Sequence, residues 1–239
     1  MKIINYGIQN KLANDTLVFP EPHPDDRITI GIGRGSGGVL IRLLRIPEIL
    51  ANSTISMYLR QTVDYILARQ LDNGHVVDNQ PGMEDRVQWC HGAPAAIPVF
   101  LEAYKAFGDK KYLRAAELAA DYTFRYGVLA KGMGLCHGTS SNIYMLIDVY
   151  RATKDPKWKY YIIELFKFSL DTPKLTDPER FVNYDCIGTY SSFHDTPSSS
   201  IAIFSDFLTY FDGDLGNMWM LGFGDLPKKS QSTKQFLQQ

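Results

Sequence analysis

Apolar residues along this chain follow two helical patterns that alternate. In the first pattern they form a single stripe: MYLRQTVDYILARQ (57–70) places Leu59, Val63, Ile66 and Leu67 on one side, opposed by Arg60, Asp64 and Arg69. DKKYLRAAELAADYTFRYG (109–127) and DPKWKYYIIELFKFSLD (155–171) read the same way, the latter with Asp155 as N-cap and Pro156 at the first helical position. In the second pattern the helix is apolar nearly all round and starts on small residues: VLIRLL, IPVFLEAY, IYMLIDVY and IAIFSDFL. A helix without a polar face belongs in an interior, and small residues at its start allow backbones to approach closely. The four segments of this kind open at Arg34, His91, His137 and Asp195, spaced roughly 46 to 58 residues apart, which is the scale of a paired-helix repeat.

An inner row of apolar helices alternating with an outer row of amphipathic ones predicts an all-α fold of stacked helical hairpins, an α/α toroid where the row closes on itself. Four inner and three outer helices make an incomplete ring of about half that size. The repeats occupy residues 31–222. Residues 1–30, with Pro20, Pro22 and Pro24 and no helical period, and 223–239, which are polar, are expected to be loosely attached tails. VNYDCIGTYSSF (182–193) has room for a short extended piece.

Composition narrows the chemistry. With 25 Lys and Arg against 26 Asp and Glu over 239 residues, the net charge is −1, and no basic run exceeds two residues, which argues against nucleic acid as a partner. No apolar stretch approaches the roughly 18 residues of a membrane span, and nothing in the sequence indicates peripheral membrane association. The start of the chain lacks a secretory signal pattern, and Lys2 excludes the myristoylation motif, so a cytoplasmic location is expected. The three cysteines, Cys90, Cys136 and Cys186, are then free thiols.

Two of those cysteines open successive inner helices with the same three residues, Cys90-His91-Gly92 and Cys136-His137-Gly138. Stacked hairpins bring equivalent positions together, so two thiols and two imidazoles meet at matching phase beside helix N-termini, whose partial positive charge favours thiolates. That donor set suits zinc, although a buried cysteine is often no more than a small apolar side chain. No acidic residue is expected beside either motif. His23 and His75 are assigned no role.

RVQWCHGAPAAIPVFLEAYKAFGDKKYL, followed by KGMGLCHGTSSNIYMLIDVYRATKD, resembles the lanthionine synthetase C-like proteins, most closely their eukaryotic type, over about residues 31–212. The resemblance implies an α/α toroid holding one Zn2+, with Cys90, Cys136 and His137 as ligands, His91 beside the metal and an open position for a thiol. It also implies addition of glutathione or a peptide cysteine to dehydroamino acids in a peptide, a C–S bond-forming reaction whose enolate needs cationic stabilisation and a proton donor. Lys131 matches a family lysine placed to contact the enolate or glutathione carboxylates. Arg86 and Trp89 flank Cys90, the arginine as a carboxylate-binding candidate. Where the family has a histidine opening another inner helix, this chain has Arg34, which binds anions but cannot donate a proton near neutrality. His194 is the candidate replacement acid, and Asp195 aligns with a family glutamate.

The absent earlier repeats make this a truncated member in that reading, with exposed inner faces that a second copy could cover. Two alternatives stand beside the enzyme: a non-catalytic zinc- and glutathione-binding protein, and a carbohydrate-active toroid, which would need two carboxylates across the sugar bond.

Overall fold

The computed structural model describes residues 2–19, 31–32, 35–78, 85–128, 136 and 138–171, with side chains to 167. Eight helices lie in this portion: α1 (Lys2–Gln9), α2 (Ser36–Leu43), α3 (Pro47–Leu50), α4 (Ser53–Leu67), α5 (Ala93–Phe107), α6 (Lys110–Tyr126), α7 (Thr139–Thr153) and α8 (Pro156–Asp171). The described residues contain isolated bridges but no strand. The inner helix expected near 201–208, the possible extended piece at 182–193 and the tail at 223–239 lie outside them.

The two rows exist. Inner helix α5 packs against both α2 and α7, while α6 backs α5 and α8 backs α7. Burial follows the sequence pattern. On outer helix α6 the buried residues are Tyr112, Ala115, Ala116, Ala119, Ala120 and Thr123, a single stripe at three- and four-residue spacing. On α5 almost every position from Ala93 to Ala103 is buried, including Ile97, Val99, Phe100 and Leu101. The α4 stripe is Ile55, Leu59, Thr62, Val63 and Ile66, with Leu67 only half-buried. Neighbouring outer helices are also tied by polar contacts. Tyr112 on α6 donates to Asp64 on α4 at 2.8 Å, and Gln70 Nε2 donates to the Ala115 carbonyl at 2.9 Å.

Helix ends follow local chemistry. Asn52 and Asp109 cap α4 and α6 by accepting from the amides of Ile55 and Lys111. Asp155, the expected cap of α8, accepts from Lys157 N at 2.8 Å. Inner helices α5 and α7 both close on a left-handed residue, Gly108 (φ 68°) and Lys154 (φ 58°).

Residues 2–19, part of the stretch expected to lack a helical period and to be loosely attached, form a helix and bury side chains. They contain α1 with Ile4 fully buried, and Leu17, Val18 and Phe19 are buried as well. The Leu17 amide donates to Thr62 Oγ1 of α4 at 2.9 Å, and that hydroxyl donates onward to the Tyr58 carbonyl. A helix of little more than two turns with one inward isoleucine gives too short a period to be read from sequence. Among the described residues no helix is long and apolar enough to cross a membrane.

Candidate functional site

The loop before α5 is folded by its own polar groups. Gln88 and His91 exchange backbone hydrogen bonds, His91 N to Gln88 O at 2.9 Å and Gln88 N to His91 O at 3.2 Å, closing a tight turn with Cys90 at its tip. The buried Gln88 side chain reinforces it, donating from Nε2 to Cys90 Sγ at 3.1 Å. Gly92 then takes φ 76° as it enters α5, and a Cβ there would collide with the carbonyl oxygen of Arg86. The glycine of this Cys-His-Gly motif is therefore required twice, by its backbone angle and by the close approach of the preceding loop.

Cys136 opens the next hairpin, two residues before Gly138, the N-cap of α7. Its side chain reaches that of Cys90 within hydrogen-bonding distance. This contact is the main influence drawing the Cys90 thiol down to about 6; burial opposes it, and the electrostatic influence of the neighbouring His91 and the Gln88 amide add to it. Cys90 is buried and Cys136 half-buried, both as free thiols.

What holds the two hairpins at this approach is Asn142, fully buried in the first turns of α7. Its Nδ2 donates to the Val87 carbonyl at 3.1 Å and to the Gly127 carbonyl at 2.8 Å. One amide thus pins α7 both to the loop carrying Cys90 and to the end of α6.

His91 is buried, and its Nδ1 lies 2.8 Å from Oδ2 of Asp78, whose side chain is fully enclosed. This corrects the expectation that no acidic residue accompanies the motifs. Asp78 arrives through a small loop in which Gln70 bridges Val76 and the Leu71 amide donates to the His75 carbonyl. His75, given no role from sequence, is buried behind the turn, its ring against Tyr122 at 4.8 Å and its Cε1 3.7 Å from where a Gly92 Cβ would stand. Neither residue carried a signal, because both sit in a loop without periodicity, where charged and polar side chains ordinarily face water.

Of the residues singled out from sequence, the structure brings the Cys90 and Cys136 side chains together, with His91 next to Cys90 in the same turn. Arg86 lies alongside through its backbone and is half-buried, as is Trp89. Arg34, Lys131, His137 and His194, with Asp195, lie outside the described residues. Among the described residues no group of three metal-binding side chains is assembled. The two that meet are both sulfur donors, a set whose chemistry fits zinc once a third ligand joins them.

Alternating helical rows, with a Cys-His-Gly motif in sequence before each of the inner helices α5 and α7, are of the α/α-toroid class of the lanthionine synthetases. The chain belongs to that family: the model for lanthionine synthetase C-like proteins matches residues 1–180. It is 28% identical over 153 residues to the glutathione S-transferase LANCL1 of Danio rerio, covering 64% of this chain and 37% of that protein. Among solved structures it is similar to nisin cyclase, with a TM-score of 0.54 at 17% identity, over 70% of this chain and 48% of that one. The chain therefore spans less than half the length of these two relatives.

Proposed function

We propose that this chain binds one zinc ion through Cys90, Cys136 and His137 and that the site activates the thiol of glutathione or of a peptide cysteine for addition to a dehydroamino acid. The observation that carries the reading is the contact of the Cys90 and Cys136 side chains, delivered by successive hairpins. Bound there, zinc would supply Lewis acidity that keeps an incoming thiol as thiolate near neutral pH. The chain's own residues do the rest. Gln88 and the α5 start hold Cys90 in a sulfur-stabilising environment, Asn142 sets the spacing of the two turns, and burial of Cys90 and His91 limits water at that side. Lys131 is the proposed contact for the enolate or for glutathione carboxylates, Arg86 and Arg34 are proposed anion contacts, and His194 is the proposed proton donor. The names of the two relatives, a glutathione S-transferase and a cyclase, fit thiol chemistry of this kind.

A second reading, a zinc- and glutathione-binding protein without turnover, is favoured by Arg34 standing where the family resemblance calls for a histidine. The test is addition of glutathione to a dehydroalanine-containing peptide followed by mass spectrometry. The enzyme reading expects a thioether product that disappears with Cys136→Ala. Zinc retained without any product supports the binding protein instead.

A further inference from the structure

The most complete polar arrangement the proposed mechanism has not used is the Asp78–His91 pair. Both side chains are buried, 13 residues apart in sequence, and meet at 2.8 Å through Oδ2 and Nδ1. A carboxylate oxygen accepts hydrogen bonds, so the ring nitrogen facing it is the one that carries hydrogen. An enclosed partner on one edge of an imidazole fixes both its rotation and its tautomer, which a histidine open to water does not maintain. His91 is the direct neighbour of Cys90, and its backbone is clamped by the Gln88 bridge, so the ring has no freedom to leave the site by moving the main chain.

We propose that Asp78 is a positioning residue: its carboxylate fixes His91 with hydrogen on Nδ1 and the lone pair on Nε2, so that the imidazole beside Cys90 offers an acceptor, not a donor, to an S–H group. The inference deepens the thiol-activating reading and rests on it for its purpose, while the tautomer itself is independent of any turnover. In that role Asp78 touches neither thiol nor electrophile; it acts through His91.

The experiment is long-range 1H–15N correlation of the histidine rings in the full chain at a pH where His91 is neutral, with His91 assigned by His91→Gln. The wild type is expected to show His91 protonated at Nδ1 and bare at Nε2. Asp78→Asn, close to isosteric, is expected to lose that fixed population, because an amide can present its NH2 to the ring and reverse the donor and acceptor roles. In the glutathione-addition assay the same variant is expected to lower kcat roughly tenfold or more while keeping its zinc, in line with the usual 10- to 100-fold cost of removing a group that orients a site histidine. A purely structural Asp78 would change melting temperature and leave the tautomer alone. Wild-type His91 found protonated at Nε2 overturns the proposal, whether or not the variant folds, and so does an unchanged tautomer in folded Asp78→Asn. An Nδ1–H tautomer with no thiol addition by the wild type overturns the thiol-activating reading and, with it, the purpose given to the pair, but leaves the positioning of His91 by Asp78 standing.

Discussion

Asn142 donates to the carbonyl of Val87 across 3.1 Å, and through this bond the first turns of α7 hold the loop on which Cys90 sits. The same amide satisfies Gly127, so two main-chain acceptors from different segments depend on one side chain. Asn142→Ala leaves both carbonyls buried without that donor. The expected loss is about 2–4 kcal/mol, on the basis of about 1–3 kcal/mol for each buried group left unsatisfied and partial relief by relaxation. Urea denaturation measures it, and zinc retention in the same variant should fall because the two thiols are no longer held at one spacing.

Gly92→Ala tests the turn itself. At φ 76° an alanine is strained, and its Cβ meets the Arg86 carbonyl, a backbone group that cannot rotate aside. With ψ −154° this is a backbone region essentially reserved for glycine, and the variant is expected to be destabilised by more than the roughly 1–3 kcal/mol of backbone strain alone. The chain should lose thermal stability and show altered Cys90 alkylation, whereas Gly108→Ala, in the milder left-handed region with open space around the site of its new Cβ, should cost only about 1 kcal/mol.

Inner helices α5 and α7 end in the same backbone conformation, but one uses glycine and the other lysine. Lys154→Gly should therefore stabilise the protein by about 0.5–1 kcal/mol, by removing a left-handed non-glycine residue at an exposed helix end. Thermal melts of the paired Gly108→Ala and Lys154→Gly variants should move in opposite directions.

Glu102 sets part of the acid limb of stability. Burial raises its pKa, but hydrogen bonds from Arg45 and Lys105 at 2.9 Å outweigh burial and leave it below the ordinary glutamate value. A carboxyl lowered in the folded state contributes stability that is fully present above the unfolded value of about 4.3 and is lost as pH falls through the folded one. Arg45 and Lys105 are themselves more than half exposed, so solvent screens the gain and it is small. Glu102→Gln should flatten the decline in stability below about pH 4.5. An acid limb identical to wild type would show that the ion pairs contribute nothing.

Much of this architecture can be read from sequence because helices declare themselves by period. Ala115, Ala119 and Ala120 repeat on one side of α6, and α5 has no polar side to expose. The meeting of Cys90 and Cys136 follows from the same logic, since identical motifs at identical helix phase must converge when hairpins stack. Asp78, His75, Gln88 and Asn142 were invisible for the opposite reason. Their roles depend on which loop folds under which helix, a long-range relation that no local pattern encodes. Helix α1 escaped because eight residues with a single fully buried side chain do not establish a stripe.

If two hairpins deliver a shared metal centre, elemental analysis of the purified chain will find the metal. About one zinc per chain is expected, lost in Cys90→Ser and equally in Cys136→Ser. A wild-type protein without zinc, or zinc that survives both substitutions, would contradict it.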